Sequence, residues 1–175
     1  MDNLTMKVKM ANKLRKSFFP QEELNPLIFN TDKKMDLTVS GAILLVITEF
    51  FETIEHDIAP EDILVMPLLT GSLANYSYNK WSDVDIHLVV DYSKFDEDKK
   101  FIRDYLRTKA TSWNDRHKIT IHGHEVEIYF QDIKEPHHST GIYDVADNRW
   151  LVEPKLLNNK SAINKNLPLA FKKAD

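Results

Sequence analysis

Val84, Ile86, Leu88 and Val90 alternate with Asp83, Asp85, His87 and Val89, and this alternation restricts the fold more than any other feature of the chain. Successive side chains of a strand point to opposite faces, so the stretch reads as a strand with one apolar face in a core. The other face carries two carboxylates and an imidazole. Residues 36–57 supply a partner for the apolar face: Ile43, Val46, Ile47, Phe50, Phe51, Ile54 and Ile58 recur at spacings of three and four, predicting a helix that Pro60 ends. A second helix is expected from Asp96, as its N-cap, to about Trp113, with Phe101, Ile102, Tyr105 and Leu106 as its apolar stripe.

Two further strands flank this frame. Residues 63–69 form a short apolar run suited to a buried strand, although Pro67 lacks a ladder donor and predicts an edge or a bulge. Residues 119–121 and 125–130, joined by His122-Gly123, read as a hairpin in which Val126, Ile128 and Phe130 face one way and Glu125, Glu127 and Tyr129 the other. The fold class is therefore α+β, with a small mixed or mainly antiparallel sheet and helices on one side. Residues 1–35 are expected to form a helix and a wrapping segment, 36–154 the domain proper, and 155–175 a basic tail.

The chain has 175 residues, 42% of them hydrophobic, which suits one domain with a real core. It has no cysteine, which excludes disulfide scaffolds, thiolate chemistry and thiolate metal sites and fits a reducing, cytoplasmic compartment. The longest apolar run, residues 42–47, is far too short to span a bilayer, and no secretory signal is expected. The net charge of −4 is unevenly spread. Residues 1–16 and 155–175 each carry +4, and the stretch between them holds 13 basic and 25 acidic side chains, a net −12 that disfavours duplex DNA as a partner.

One constellation carries chemistry. Gly71-Ser72 closes the 63–69 strand, and a helical turn expected from about Leu73 would aim backbone N–H groups and a hydroxyl at phosphate oxygens. Asp83 and Asp85, two apart on a strand, project from one face with origins roughly 6–7 Å apart and can hold a hard cation between them. A third carboxylate would complete a two-metal site for in-line phosphoryl displacement. Glu127 is the candidate, on a hairpin strand able to lie beside the Asp85 strand, and Glu125, on the same face, is its rival.

Gly71-Ser72, then Asp83-Val84-Asp85-Ile86, then Val126-Glu127-Ile128 resembles the motif of the nucleotidyltransferase superfamily typified by DNA polymerase beta. The likeness covers residues 40–132, and Thr70 to Tyr76 with Trp81 to His87 is similar to small nucleotidyltransferase-like proteins of bacteria and their large phages. The resemblance implies an α/β palm and two Mg²⁺ ions, with Mn²⁺ as the alternative. It also implies transfer of a nucleoside monophosphate from a triphosphate such as ATP to a hydroxyl, with loss of pyrophosphate. By position, Gly71 and Ser72 would contact the terminal phosphates, Asp83 and Asp85 would bridge both metals, and Glu127 would hold the catalytic metal and help activate the acceptor. Glu127 departs from the commoner Asp of the family, and the short stretch after it matches the minimal branch, which includes antitoxin partners of toxin pairs. The acceptor, whether protein, RNA or small molecule, stays open.

Other readings are weaker. A non-catalytic nucleotide-binding or antitoxin-like protein on the same fold ranks next, and a metal-dependent phosphohydrolase third. Lys80, between the phosphate turn and the Asp pair, reads equally as a residue approaching a triphosphate and as a surface lysine, whereas Arg103, Arg107 and Arg149 read first as surface charges. His122-x-His124 and His137-His138 lack a cysteine or a third ligand at helical spacing for zinc. Residues 136–141 are a polar loop expected near the site.

Overall fold

The computed structural model describes residues 20–54, 64–95 and 99–156. The elements are helix α1 (Leu37–Glu52), strands β1 (Leu64–Leu69) and β2 (Val84–Val90), a 3-10 turn (Tyr92–Lys94), helix α2 (Lys99–Arg116), and strands β3 (Thr120–Ile121), β4 (His124–Asp132), β5 (Ile142–Asp144) and β6 (Arg149–Val152). They build an α+β structure around one six-stranded sheet of order β3-β4-β2-β1-β5-β6. β2 and β4 are parallel, and the other pairs are antiparallel. The carboxylate-bearing strand β2 thus lies inside the sheet, held on both edges.

α1 starts where Asp36 caps it, accepting from the Thr38 N–H at 2.8 Å, and it buries Val39, Ile43, Val46, Ile47, Phe50 and Phe51 against the sheet. The helix expected to run to residue 57 stops at Glu52. Both the backbone N–H and the hydroxyl of Thr53 bond the Phe50 carbonyl, which tightens the last turn and ends the α ladder. Ile54 still packs in the core, whereas Ile58 and Pro60 lie outside the described residues, as do Asp96 and the helix expected before Pro20.

α2 buries Ile102, Leu106, Ala110 and Trp113. Phe101, expected in that stripe, is 64% exposed, because the face turned to the sheet runs through Ile102 and Leu106. Both helices cover the sheet face formed by Val84, Ile86, Leu88, Val126 and Ile128, and Phe50 of α1 meets Trp113 of α2 and Phe130 of β4 with ring centroids 5.6 and 5.7 Å apart. Asp85, His87, Glu127 and Tyr129 consequently emerge on the opposite face.

Asn114 of α2 donates to the Ile128 carbonyl at 2.9 Å and accepts from the Ile128 N–H at 3.0 Å, covering a stretch of β4 edge that two-residue β3 leaves bare. Asn114→Ala is therefore expected to lower stability by about 2 kcal/mol. Urea unfolding measures this, and hydrogen exchange should show the Ile128 amide losing protection first.

Pro67 is neither at an edge nor the bulge: β1 is an interior strand, and the register slips between Leu64 and Met66 instead. A strand residue's N–H and C=O point to the same neighbour. The Pro67 carbonyl accepts from the Val145 N–H at 3.0 Å, so the donor Pro67 lacks falls on the β5 side, where pairing covers only Leu68 and Leu69. His122 and Gly123 make the expected two-residue hairpin turn, with φ of 51° and 83° as a type I′ turn requires. β5 and β6 were not foreseen.

Candidate functional site

In the parallel register of β2 and β4, Asp85 stands beside Glu127, His87 beside Tyr129 and Val89 beside Gln131. Neighbouring strands are about 4.8 Å apart, so Asp85 and Glu127 are side by side on the face away from the helices, with Asp83 just ahead of β2. The carboxyls sense one another. Burial, then Glu127, then Asp83 push the Asp85 carboxyl up to about 6. Burial, then Glu127 and Glu125, also raise Asp83. Asp83 and Asp85 therefore hold their protons more tightly than free carboxyls do, and a divalent cation would relieve the same repulsion.

Glu127 and Glu125 differ in their surroundings. Glu125 pairs with Lys118 at 2.6 Å, outward of the hairpin. Glu127 accepts the Tyr129 hydroxyl on Oε2, and burial followed by that hydrogen bond raises the phenol's pKa. The alternation that places Glu125, Glu127 and Tyr129 on one face continues to Gln131, which the hairpin assignment stopped short of. Gln131 Oε1 lies 2.8 Å from His87 Nδ1.

The turn after β1 meets the same strand. Gly71 has φ of 70°, and a Cβ built there would overlap Asp85 Oδ2 and lie 2.8 Å from its Cγ. Glycine is required on both counts. Residues 71–74 form a turn without a continuing helix, in which the Asn75 N–H bonds the Ser72 carbonyl three residues back at 3.2 Å and the Asn75 amide bonds the Gly71 carbonyl at 2.9 Å. Neither described helix begins at this turn. Ser72 donates its hydroxyl to Ser82 Oγ at 2.7 Å, so it must rotate away from Ser82 to donate to a phosphate.

A buried chain of hydrogen bonds backs the turn. Asn25 accepts the Leu27 N–H on Oδ1, which turns its amide nitrogen to His124 Nε2 at 3.1 Å. His124 Nε2 is then the acceptor, and Nδ1–H donates to the Ser82 carbonyl at 2.6 Å, next to Asp83. His124 is thereby a positioning residue, not the half of a zinc pair that His122-x-His124 suggested. Nothing in the local sequence pairs Asn25 with residue 124.

The remaining polar candidates lie elsewhere. Lys80 sits 4.2 Å over the Trp81 ring. Arg103 bonds Asp132 at 2.6 Å, and Arg149 pairs with Asp147 at 3.0 Å. Arg107 follows Arg103 on α2. Residues 135–139 do approach the site: with Thr70, His87, Tyr129 and Gln131 they line a cleft of about 500 Å³. Gly141 anchors the loop's end, since a Cβ there would overlap the Ala74 carbonyl oxygen.

Among the described residues, no three His, Asp or Glu side chains are gathered around a common point to hold a metal ion. The donor chemistry nonetheless suits a hard divalent cation: oxygen donors only, on and just ahead of two paired strands, with repulsion for a cation to relieve. No described helix is long and apolar enough to cross a membrane. Compared with protein-family models, curated proteins and solved structures, the chain matches none.

Proposed function

We propose that the protein is a Mg²⁺-dependent nucleotidyltransferase of the minimal kind, moving a nucleoside monophosphate from a triphosphate to a hydroxyl and releasing pyrophosphate. The observation that carries this reading is the parallel register that sets Asp85 beside Glu127, with Asp83 ahead of them and Gly71 packed on the Asp85 carboxylate.

Asp83, Asp85 and Glu127 are the residues that would hold the metal, which supplies neutralisation of the phosphate oxygens and acidifies the acceptor hydroxyl. The acceptor oxygen attacks the α-phosphorus, the bond to the bridging oxygen breaks, and pyrophosphate leaves with that electron pair. Tyr129 occupies Glu127 Oε2, which leaves Oε1 to take the hydroxyl proton. Gly71 and Ser72 bind the terminal phosphates, with the Ser72 hydroxyl released from Ser82. His124, itself held by Asn25, bonds the Ser82 carbonyl and so fixes where Asp83 enters the site.

The test is incubation of the full chain with Mg²⁺ and each α-³²P-labelled nucleoside triphosphate, with host protein, RNA and small-molecule fractions as acceptors. Transfer by the native chain, lost on chelation of Mg²⁺ and in Glu127→Gln, supports the reading. Triphosphate binding without transfer in any combination would replace it with the non-catalytic nucleotide-binding alternative.

A further inference from the structure

The sheet face that bears the carboxylates runs on into the cleft of about 500 Å³, which the steps above leave unused. Its near end is the carboxylate site itself. Thr70 lines it and bonds the Asp85 carbonyl through its N–H at 3.0 Å, and Tyr129 lines it while its hydroxyl rests on Glu127. A volume of this order suits a small molecule.

The lining also says what kind. No lysine or arginine contributes to it, and its one carboxylate residue, Glu135, has its charge 3.9 Å from Arg103. Desolvation and the nearby His87 hold His137 below the usual histidine range, so that ring is mainly uncharged at neutral pH. A phosphorylated ligand would shed its water here for no counter-charge. The walls offer planar rings instead, with His87 and Tyr129 5.6 Å apart between centroids and His137 and His138 on the facing loop. Gln131 is committed within the wall, its Nε2 donating to the Glu135 carbonyl at 3.3 Å and its Oε1 accepting from His87 Nδ1–H. His87 Nε2 is left as an acceptor for a ligand N–H or O–H.

We propose that this cleft is the acceptor pocket, and that the acceptor is an uncharged, ring-bearing small molecule of nucleoside size whose hydroxyl reaches Glu127 while its ring lies against His87 and Tyr129. The proposal rests on the nucleotidyl-transfer reading and narrows its acceptor to one class. An RNA end is disfavoured because its phosphates find no cations, and a folded protein because the loop stands over the face.

The test begins with binding, not activity. The full chain in EDTA is titrated with adenosine, guanosine, cytidine and uridine, and with adenosine 5′-monophosphate, following the histidine ring resonances by NMR. At least one uncharged nucleoside is expected to shift His87, His137 and His138 while leaving His117 in place. Adenosine monophosphate is expected to bind about tenfold more weakly than adenosine. The exposed pair His137→Ala/His138→Ala should weaken nucleoside binding several-fold at unchanged melting temperature. Equal binding of the monophosphate, or no shift with any nucleoside, overturns the proposal. Nucleoside binding without label transfer removes the transfer reading and keeps the ligand class. Label transfer to protein or RNA that the double histidine variant leaves unchanged keeps the transfer reading and overturns this pocket as the acceptor site.

Discussion

Asp85→Asn is expected to give a protein that melts higher than the native chain at pH 8 and transfers nucleotide at least about a thousandfold more slowly. Both effects have one source. The Asp85 carboxyl is raised to about 6 by burial and by Glu127 and Asp83, above the ordinary value of 3.8 that applies in the unfolded chain. The folded state therefore binds this proton more tightly. Stability falls as pH rises from 3.8 through 6, and the penalty is fully present above that window. The full linkage value would be ~3 kcal/mol, but a partly exposed carboxyl screened by water realises about 1 kcal/mol. Removing the charge at nearly constant volume should raise the melting temperature by about 2–4 °C at pH 8 and leave it unchanged at pH 3. Millimolar Mg²⁺ should stabilise the native chain through the same carboxylates, and Asp83→Asn/Asp85→Asn should lose that response. Thermal scans between pH 3 and 8, with and without Mg²⁺, decide it. A variant less stable at every pH would make the carboxylate a structural group and sink the metal-holding role.

Gly71→Ala is expected to cost about 2–4 kcal/mol and to lower transfer at least a hundredfold. Part of the loss is conformational, since φ of 70° places an L side chain in the left-handed region. The rest is steric. The added methyl would overlap Asp85 Oδ2, with Cγ at 2.8 Å and Cβ at 3.2 Å. The Asp85 backbone cannot retreat, because β2 is held between β1 and β4, so its carboxylate must leave its present position between the turn and Glu127. In an Asp85→Ala background the conformational part remains and most of the overlap vanishes, so the penalty should fall by roughly half. Denaturant unfolding of the four proteins measures that coupling. An unchanged penalty would assign the whole effect to φ and separate the turn from the carboxylate.

Local patterns carried a large share of the fold. The spacing of Ile43, Val46, Ile47, Phe50 and Phe51 placed α1, the alternation from Val84 to Val90 placed β2, and His122-Gly123 placed the hairpin, because each depends on a period or a turn written in consecutive residues. The common face of Asp83, Asp85, His87, Glu125, Glu127 and Tyr129 followed from the same period of two. The helix ends at Glu52, earlier than Pro60 suggests, where the Thr53 N–H bonds the Phe50 carbonyl three residues back, a closure that no breaker residue marks in the sequence.

β5 and β6 escaped because three- and four-residue strands show almost no period; they are defined by the partners they pair with, β1 and each other. Pro67 was misplaced for a related reason. Whether a missing donor matters depends on which neighbour it faces, and that neighbour comes from 75 or more residues along the chain. Likewise no local pattern shows that Lys118 pairs with Glu125 or that the β2–β4 register sets Glu127 beside Asp85.

The chain's own periodicities thus set the apolar and polar faces of α1, β2 and β4, consequences of backbone geometry over a few residues, although in α2 they assigned Phe101 to the wrong face. Only the tertiary structure decided that β4 runs parallel to β2 in the register that joins Asp85 to Glu127, that Asn25 and His124 brace Ser82, and that the 135–139 loop walls a cleft beside them. Those are contacts between segments far apart in the chain, and their energies arise when burial brings them together, which no local pattern encodes.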